Sequence, residues 1–333
     1  MMLHGANIYK YAQIAGCEPS EIIDFSSNIN LYQPDFKCNF TKETIGRYAN
    51  SNYPELKSAI ATRYSLKKSQ IALYNGATSA IYALISSLKT KSITLYAPLY
   101  GEYEKAALQS KKDIYKINRI SSLEDEVQKG SIVVFVNPST PEGTYYDLDE
   151  LIIEWMKKKC TIILDESFLE FEQLKSFRKY IDIYKKLYIV QSFSKFYACA
   201  GVRIGAIFSS KKNIAKLQQP LWNISSLDAE FLQQRLLDEN FYAESLKLHK
   251  QQKEELLKIL EDSQLFEEIV ESDSNYILTK ALKDKEIFTN LLKNRILVRR
   301  CESFDYLDEK WIRFAVKDTL SHKKLQEALG EIA

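Results

Sequence analysis

The 333-residue chain lacks a charge imbalance: 46 lysines and arginines stand against 44 aspartates and glutamates, a net charge of +2. Nucleic-acid binding needs a basic patch or stripe, and there is no basic run with interleaved aromatics, so that class is disfavoured. Cysteine is also scarce. Cys17, Cys38, Cys160, Cys199 and Cys301 are odd in number, widely spaced and without a C-x-x-C, which indicates neither a disulfide framework nor a metal site and fits a reducing cytoplasm. No stretch approaches the roughly 18 apolar residues of a membrane span. The opening Met-Met-Leu-His-Gly-Ala-Asn-Ile-Tyr-Lys lacks the charged-then-apolar profile of a signal peptide. No Gly-x-Gly-x-x-Gly follows a strand pattern, which disfavours a nicotinamide enzyme, and neither repeats nor low-complexity linkers occur. What is present is an ordinary soluble composition, 45% apolar and 27% charged. The length exceeds the roughly 250–300 residues at which single cores stop growing, so two domains are expected.

The most informative stretch is Gln191-Ser-Phe-Ser-Lys-Phe-Tyr-Ala-Cys-Ala-Gly-Val-Arg-Ile-Gly205. Residues 187–190 read as a short buried strand, which sets Ser192, Ser194 and Lys195 beyond its carboxyl end, where open α/β sheets bind ligands. Two hydroxyls and Arg203 close to one lysine can hold a phosphate. Positive neighbours and partial desolvation lower the proton affinity of Lys195, as an amine requires to form a Schiff base near neutral pH.

Other segments repeat this strand-then-turn grammar. A strand over 71–74 runs through Asn75-Gly-Ala-Thr-Ser79 into a helix striped by Ile81, Leu84, Ile85 and Leu88. That geometry makes an anion seat, with Gly76 permitting close backbone approach, Ala77 offering its N–H, and Thr78 as N-cap and hydroxyl donor. A strand over 93–96 ends in Ala97-Pro-Leu-Tyr-Gly-Glu-Tyr103. The apolar run Ile132-Val-Val-Phe-Val136 stops at Asn137-Pro-Ser-Thr-Pro-Glu-Gly143, and a buried strand over 161–164 delivers Asp165. A helix over 8–15 and a strand over 22–25 precede these. Residues 227 to about 262 read as one long charged helix bridging two domains, followed by strands over 276–279 and 311–316 and a helix over about 284–294. Lysine, aspartate and asparagine at strand ends indicate a doubly wound, mostly parallel sheet.

The pattern Ser-x-Ser-Lys-x(5)-Gly-x-Arg-x-Gly resembles the cofactor-lysine motif of the fold-type I pyridoxal-phosphate enzymes, the aspartate-aminotransferase superfamily. His-Gly-x-Asn-Ile near the start, Asp-Phe-Ser-x-Asn-Ile-Asn over 24–30 and Ile-Leu-Val-Arg-Arg-Cys-Glu-Ser-Phe over 296–304 narrow the likeness to the threonine-phosphate decarboxylases of cobalamin biosynthesis and their relatives, the histidinol-phosphate aminotransferases. The resemblance implies that Lys195 holds pyridoxal 5′-phosphate and Asp165 partners its ring nitrogen, while Asn137 donates to its phenolic oxygen and Tyr100, in preference to Tyr103, stacks on the ring. Gly76, Ala77, Thr78, Ser192, Ser194 and Arg203 then hold the cofactor phosphate, joined by Tyr48 of a neighbouring subunit in a homodimer. Arg299 takes a substrate phosphate and Arg313 a substrate carboxylate, with His4, Asn28 and Asn30 of an N-terminal arm enclosing the substrate. Read alone, several have plainer roles: Tyr48 and Tyr100 as core aromatics, Thr78 as a cap, Asn137 as part of an Asn-Pro turn, either arginine as a surface ion pair, and His4 as a terminal residue.

The implied organisation is an arm over 1–44, a large cofactor-binding domain over 45–235 and a small α/β domain over 236–333. The implied reaction is decarboxylation of O-phosphothreonine or O-phosphoserine. Ala49 stands where the family carries proline after Tyr48, and Phe168 departs from the tyrosine that the histidinol-phosphate aminotransferases carry there. Transamination of histidinol phosphate is the alternative. A non-catalytic pyridoxal-binding regulator is a further one, although no helix-turn-helix extension accompanies the site.

Overall fold

The computed structural model describes residues 7–36, 41–282 and 284–332. After a helix over Ile8–Ala15 and the two-residue strand β1 (Ile23–Asp24), seven strands build the main sheet. They are β2 (Ile71–Asn75), β3 (Ser92–Ala97), β4 (Asp113–Asn118), β5 (Ile132–Val136), β6 (Thr161–Asp165), β7 (Leu187–Ser192) and β8 (Ile204–Ser209). Their spatial order is β2-β8-β7-β6-β5-β3-β4, and every pairing is parallel except the two made by β8. This is the mostly parallel α/β sheet that the strand grammar indicated.

Strands β5 to β8 are buried at every residue because both faces are covered, which is why they read as unbroken apolar runs. Alternate residues feed two cores. Val133, Phe135, Ile162 and Leu164 pack with Trp155 on one face, while Ile132, Val134 and Ile163 meet Ile81, Leu84 and Ile85 of the helix Gly76–Ser87 on the other.

The long helix expected over 227–262 is two helices, Ser226–Leu237 and Glu239–Asp262. Asp238 separates them, because its carboxylate accepts the Phe241 N–H at 2.9 Å and caps the second helix instead of continuing the first. The second helix still spans two cores: Phe241 belongs to the core of the main sheet, and Leu256, Ile259 and Leu260 to a separate one. That second core packs on an antiparallel sheet formed by β9 (Phe266–Ile269), β10 (Tyr276–Ala281), β12 (Arg299–Arg300) and β13 (Trp311–Ala315), in the order β12-β13-β10-β9. The intervening strand β11 (Ile296–Leu297) pairs in parallel with β1, which ties the N-terminal segment to this unit. No described helix is long and apolar enough to cross a membrane.

Candidate active site

The carboxyl ends of β5, β6 and β7 open onto a cavity of about 260 Å³, closed from the other side by residues 26–28 and by Arg299, Phe304 and Arg313. Lys195 lies in it, just beyond β7. Its ammonium loses proton affinity, to a pKa of about 8, first through burial and then through the nearby Arg313 and Arg203 charges, with Asp24 opposing.

One end of the cavity is an anion seat. Helix Gly76–Ser87 begins directly after β2; Asn75 is its N-cap and makes no side-chain capping bond. The first-turn N–H groups of Gly76, Ala77 and Thr78 are therefore not covered by a cap side chain. Thr78, expected as the cap, sits instead in the first turn, with its hydroxyl 3.3 Å from that of Tyr100. Gly76 has φ +78°, and a Cβ there would lie 2.8 Å from Arg203 Nη2. A Cβ on Gly205 of β8 would come within 2.3 Å of the Ala77 nitrogen, so Gly205 is needed for backbone approach, while Gly76 is needed for its positive φ. Ser192 and Ser194 complete the seat, their hydroxyls 2.8 Å apart, and Arg203 reaches it from an exposed position, with Nη1 bonded to the Ala200 carbonyl.

Asp165 ends β6 between Val136 and Val190 of the flanking strands. It is buried, and burial raises its pKa against three donors that lower it: the Tyr103 hydroxyl at 2.8 Å and the Ser167 N–H and hydroxyl. The Ser167 hydroxyl oxygen also accepts the Ser192 N–H at 3.0 Å, joining the carboxylate to the lysine loop. Phe168 lines the cavity, edge-on to Tyr276 with ring centroids 5.2 Å apart.

Opposite these lie two cations. Arg299 of β12 is the register partner of Arg313 of β13, and cross-strand partners share a face. Arg299 donates to the Ser303 hydroxyl at 2.8 Å and lies over Phe304. Burial and then the Arg313 charge lower its proton affinity. Arg313 donates to Thr140 Oγ1 at 3.3 Å and the Ser26 carbonyl at 3.1 Å, lies over the Tyr276 ring, and keeps an Nε without a partner among the described residues. Two buried guanidinium groups side by side repel one another, an arrangement suited to anionic ligands.

The structure thus gathers Asn28, Ala77, Thr78, Tyr100, Asp165, Ser192, Ser194, Lys195, Arg203, Arg299 and Arg313 around one cavity. Gly76 is buried at the start of the seat's helix and does not itself line the cavity, and three further expected residues lie elsewhere. Asn30 does not line the cavity: its N–H donates to the Lys195 carbonyl, and its amide donates to the Phe196 carbonyl and Ser245 hydroxyl, so it holds the lysine loop. Asn137 is fully buried, with its amide oxygen and nitrogen both paired to the Tyr146 backbone. Tyr48, read alone as a core residue, is 79% exposed and stacked on Trp222, away from this chain's cavity. His4 lies outside the described residues. Sequence reasoning missed Tyr103 as a partner of Asp165, Ser167 as the link to β7, and Thr140 beside Arg313. Tyr103 was visible as the aromatic three residues after Tyr100, but nothing local distinguished it.

A lysine of lowered proton affinity, an anion seat at a helix start and a buried carboxylate are what pyridoxal 5′-phosphate requires for its aldehyde, phosphate and ring nitrogen. The donor set fits that group. The Aminotransferase class I and II family model matches residues 20–332. An adenosylcobalamin biosynthesis bifunctional protein, CobDQ, of Leptospira interrogans is 31% identical over 99% of this chain, which spans 41% of that protein's length. The threonine-phosphate decarboxylase of Salmonella typhimurium is 24% identical over 99% of this chain and 96% of its own. The crystal structure of a histidinol-phosphate aminotransferase from Clostridium acetobutylicum superposes with a TM-score of 0.81 at 29% identity, covering 92% of this chain and 98% of that one.

Proposed function

We propose that this chain, which belongs to the aminotransferase class I and II family and works with pyridoxal 5′-phosphate, removes the carboxylate of an O-phospho-L-amino acid. O-Phosphothreonine would yield 1-aminopropan-2-ol phosphate, and O-phosphoserine ethanolamine phosphate, with one CO2 released and one proton taken up at Cα. The observation that carries this reading is the pair of neighbouring buried cations, Arg299 and Arg313, facing Lys195 across the cavity.

Arg299 binds the phosphate, and Arg313 holds the carboxylate with the planar fork that a bidentate contact needs. When bound, the cofactor supplies a sink for the electron pair left at Cα. Asp165 keeps the ring nitrogen protonated; Tyr103 and Ser167 hold that carboxylate in place. Lys195 would hold the cofactor, and its amine, of lowered proton affinity, would be the group that delivers a proton to Cα. Tyr100, which lines the cavity, would cover the cofactor ring, and Asn28 closes the arm side of the cavity. Ser192, Ser194, Arg203 and the first-turn N–H groups of residues 76–78 hold the cofactor phosphate.

Tyr48 serves the site of a second copy in a homodimer. Its stacking on Trp222 and the exposure of Ile45 and Leu221 support a partner over that face.

Transamination of histidinol phosphate uses the same lysine and aspartate, and the likeness to the Clostridium structure favours it. Two features weigh against it. Phe168 has no hydroxyl for the cofactor's phenolic oxygen. Histidinol phosphate also carries an alcohol where the carboxylate would be, leaving Arg313 buried without its anion, a loss of about 3–5 kcal/mol. Steady-state comparison of kcat/KM decides between the readings: O-phosphothreonine and O-phosphoserine should each exceed histidinol phosphate plus 2-oxoglutarate by about a hundred- to a few thousandfold. The opposite ranking makes the chain an aminotransferase.

A further inference from the structure

Arg119, one residue past β4, is 1% exposed, and its guanidinium is directed at the end of β5 and the turn that follows it. Nε donates to Glu142 at 2.9 Å, Nη2 to the Thr140 carbonyl at 2.9 Å and Nη1 to the Val136 carbonyl at 3.4 Å. Glu142 is 4% exposed, and its second oxygen accepts the Ser139 hydroxyl at 3.1 Å and the Tyr146 hydroxyl at 2.8 Å. One buried ion pair therefore ties down both limbs of the turn.

The same turn supports Arg313 from two sides. Thr140 accepts a hydrogen bond from Arg313 directly. Ser139 acts through a second residue: its carbonyl accepts the Tyr276 hydroxyl at 2.6 Å, and the Tyr276 ring lies 4.7 Å from the Arg313 guanidinium carbon. Gly143 seals this junction, because a Cβ there would meet Ser272 Oγ at 2.1 Å and the Tyr276 ring at 3.3 Å. The turn is thus an abutment between the two sheets.

A buried ion pair adds little stability over an apolar pair of equal volume, so stability alone does not account for the charges here. A rigid fork aimed at two carbonyls and a carboxylate does fix the conformation of a turn. We propose that Arg119 and Glu142 are positioning residues for Arg313: by shaping the turn over 137–143 they orient its guanidinium for a two-bond contact with the substrate carboxylate. This deepens the reading of Arg313 as the carboxylate clamp and rests on it.

The test uses holoenzyme variants Glu142→Gln, Arg119→Lys and the doubly apolar Arg119→Met/Glu142→Leu, which leaves no charge unpaired, with Arg313→Lys as reference. KM and kcat are measured with O-phosphoserine, and the inhibition constant with ethanolamine phosphate, the same molecule without its carboxylate. Misaligning one charge-assisted bond should raise KM for O-phosphoserine about tenfold in Glu142→Gln and in the double variant. Ethanolamine phosphate should bind them as it binds wild type, kcat should change less than KM, and Arg119→Lys should fall between. Equal weakening of both ligands would assign the pair a purely structural role and overturn the proposal, as would an unchanged KM or failure of all three variants to fold. If Arg313→Lys keeps its preference for the carboxylate-bearing ligand, the clamp itself is misread and this inference falls with it. If Arg313→Lys loses that preference and the pair variants do not, the positioning role alone is refuted.

Discussion

Tyr103→Phe removes one hydroxyl and leaves the ring packed in its core. The hydroxyl donates to Asp165 Oδ2 at 2.8 Å, one of three donors to a carboxylate that burial already pushes toward protonation. A hydrogen bond to a charged group is worth about 1.5–3 kcal/mol, so its loss disfavours ionised Asp165 by roughly ten- to 150-fold. The sign follows from the direction of the shift: burial raises the Asp165 pKa and Tyr103 opposes that, so the variant's pKa rises further and less of the carboxylate is ionised at a given pH. Turnover should fall by up to that factor, and the acid limb of the kcat profile should move to higher pH. Tyr100→Phe is the comparison, since the Tyr100 hydroxyl lies 3.3 Å from that of Thr78 and is none of the three donors to Asp165 named above; it should move the acid limb less than Tyr103→Phe does. The assay is CO2 release from O-phosphothreonine across pH on cofactor-saturated protein. A Tyr103→Phe profile that overlays wild type, with turnover within a factor of two, would show that the hydroxyl does not support Asp165.

With a Lys195 pKa near 8, the rate at which cofactor-free protein captures pyridoxal phosphate should rise with pH through a midpoint near 8, whereas a midpoint near that of an ordinary lysine, 10.5, would contradict the buried, cation-flanked site. Borohydride reduction should leave a cofactor-derived mass on Lys195 in wild type and on no residue in Lys195→Ala; a label on another lysine, found by peptide mapping, dismantles the site. Asn30→Ala leaves the Phe196 carbonyl and Ser245 hydroxyl without their donor and should lower unfolding stability by about 1–3 kcal/mol in urea titrations, with faster loss of cofactor on dialysis. Gly76→Ala forces a side chain into φ +78° and against Arg203; cofactor affinity should drop more than unfolding stability does, and an unchanged dissociation constant would remove this turn from the phosphate seat.

The sheet was legible because parallel strands covered on both faces leave unbroken apolar runs that end at the turns carrying Asn137, Asp165 and Lys195. Strand β4 escaped notice because it is a partly exposed edge, and β8 because its first two residues, Ile204 and Gly205, were read as the end of the lysine motif. Residues fixed by local geometry, such as Gly76 at a helix start, could be assigned from spacing alone. Roles that depend on contacts distant in sequence could not. Asn30 looked like a substrate contact, yet its partners are 166 and 215 residues away, and Tyr103 reaches Asp165 across 62 residues. With 21 tyrosines in the chain, no local signal separated Tyr103 from the others. Arg119 carried no motif at all, because its importance lies in the turn it holds.

The most direct test of the account follows the carboxyl carbon. O-Phosphothreonine labelled there with carbon-14 is incubated with holoenzyme and no keto acid, and volatile label and 1-aminopropan-2-ol phosphate are both quantified. The account predicts repeated turnover with one labelled CO2 for each amine phosphate formed. Retention of the label in solution, with amino transfer once a keto acid is added, would contradict it.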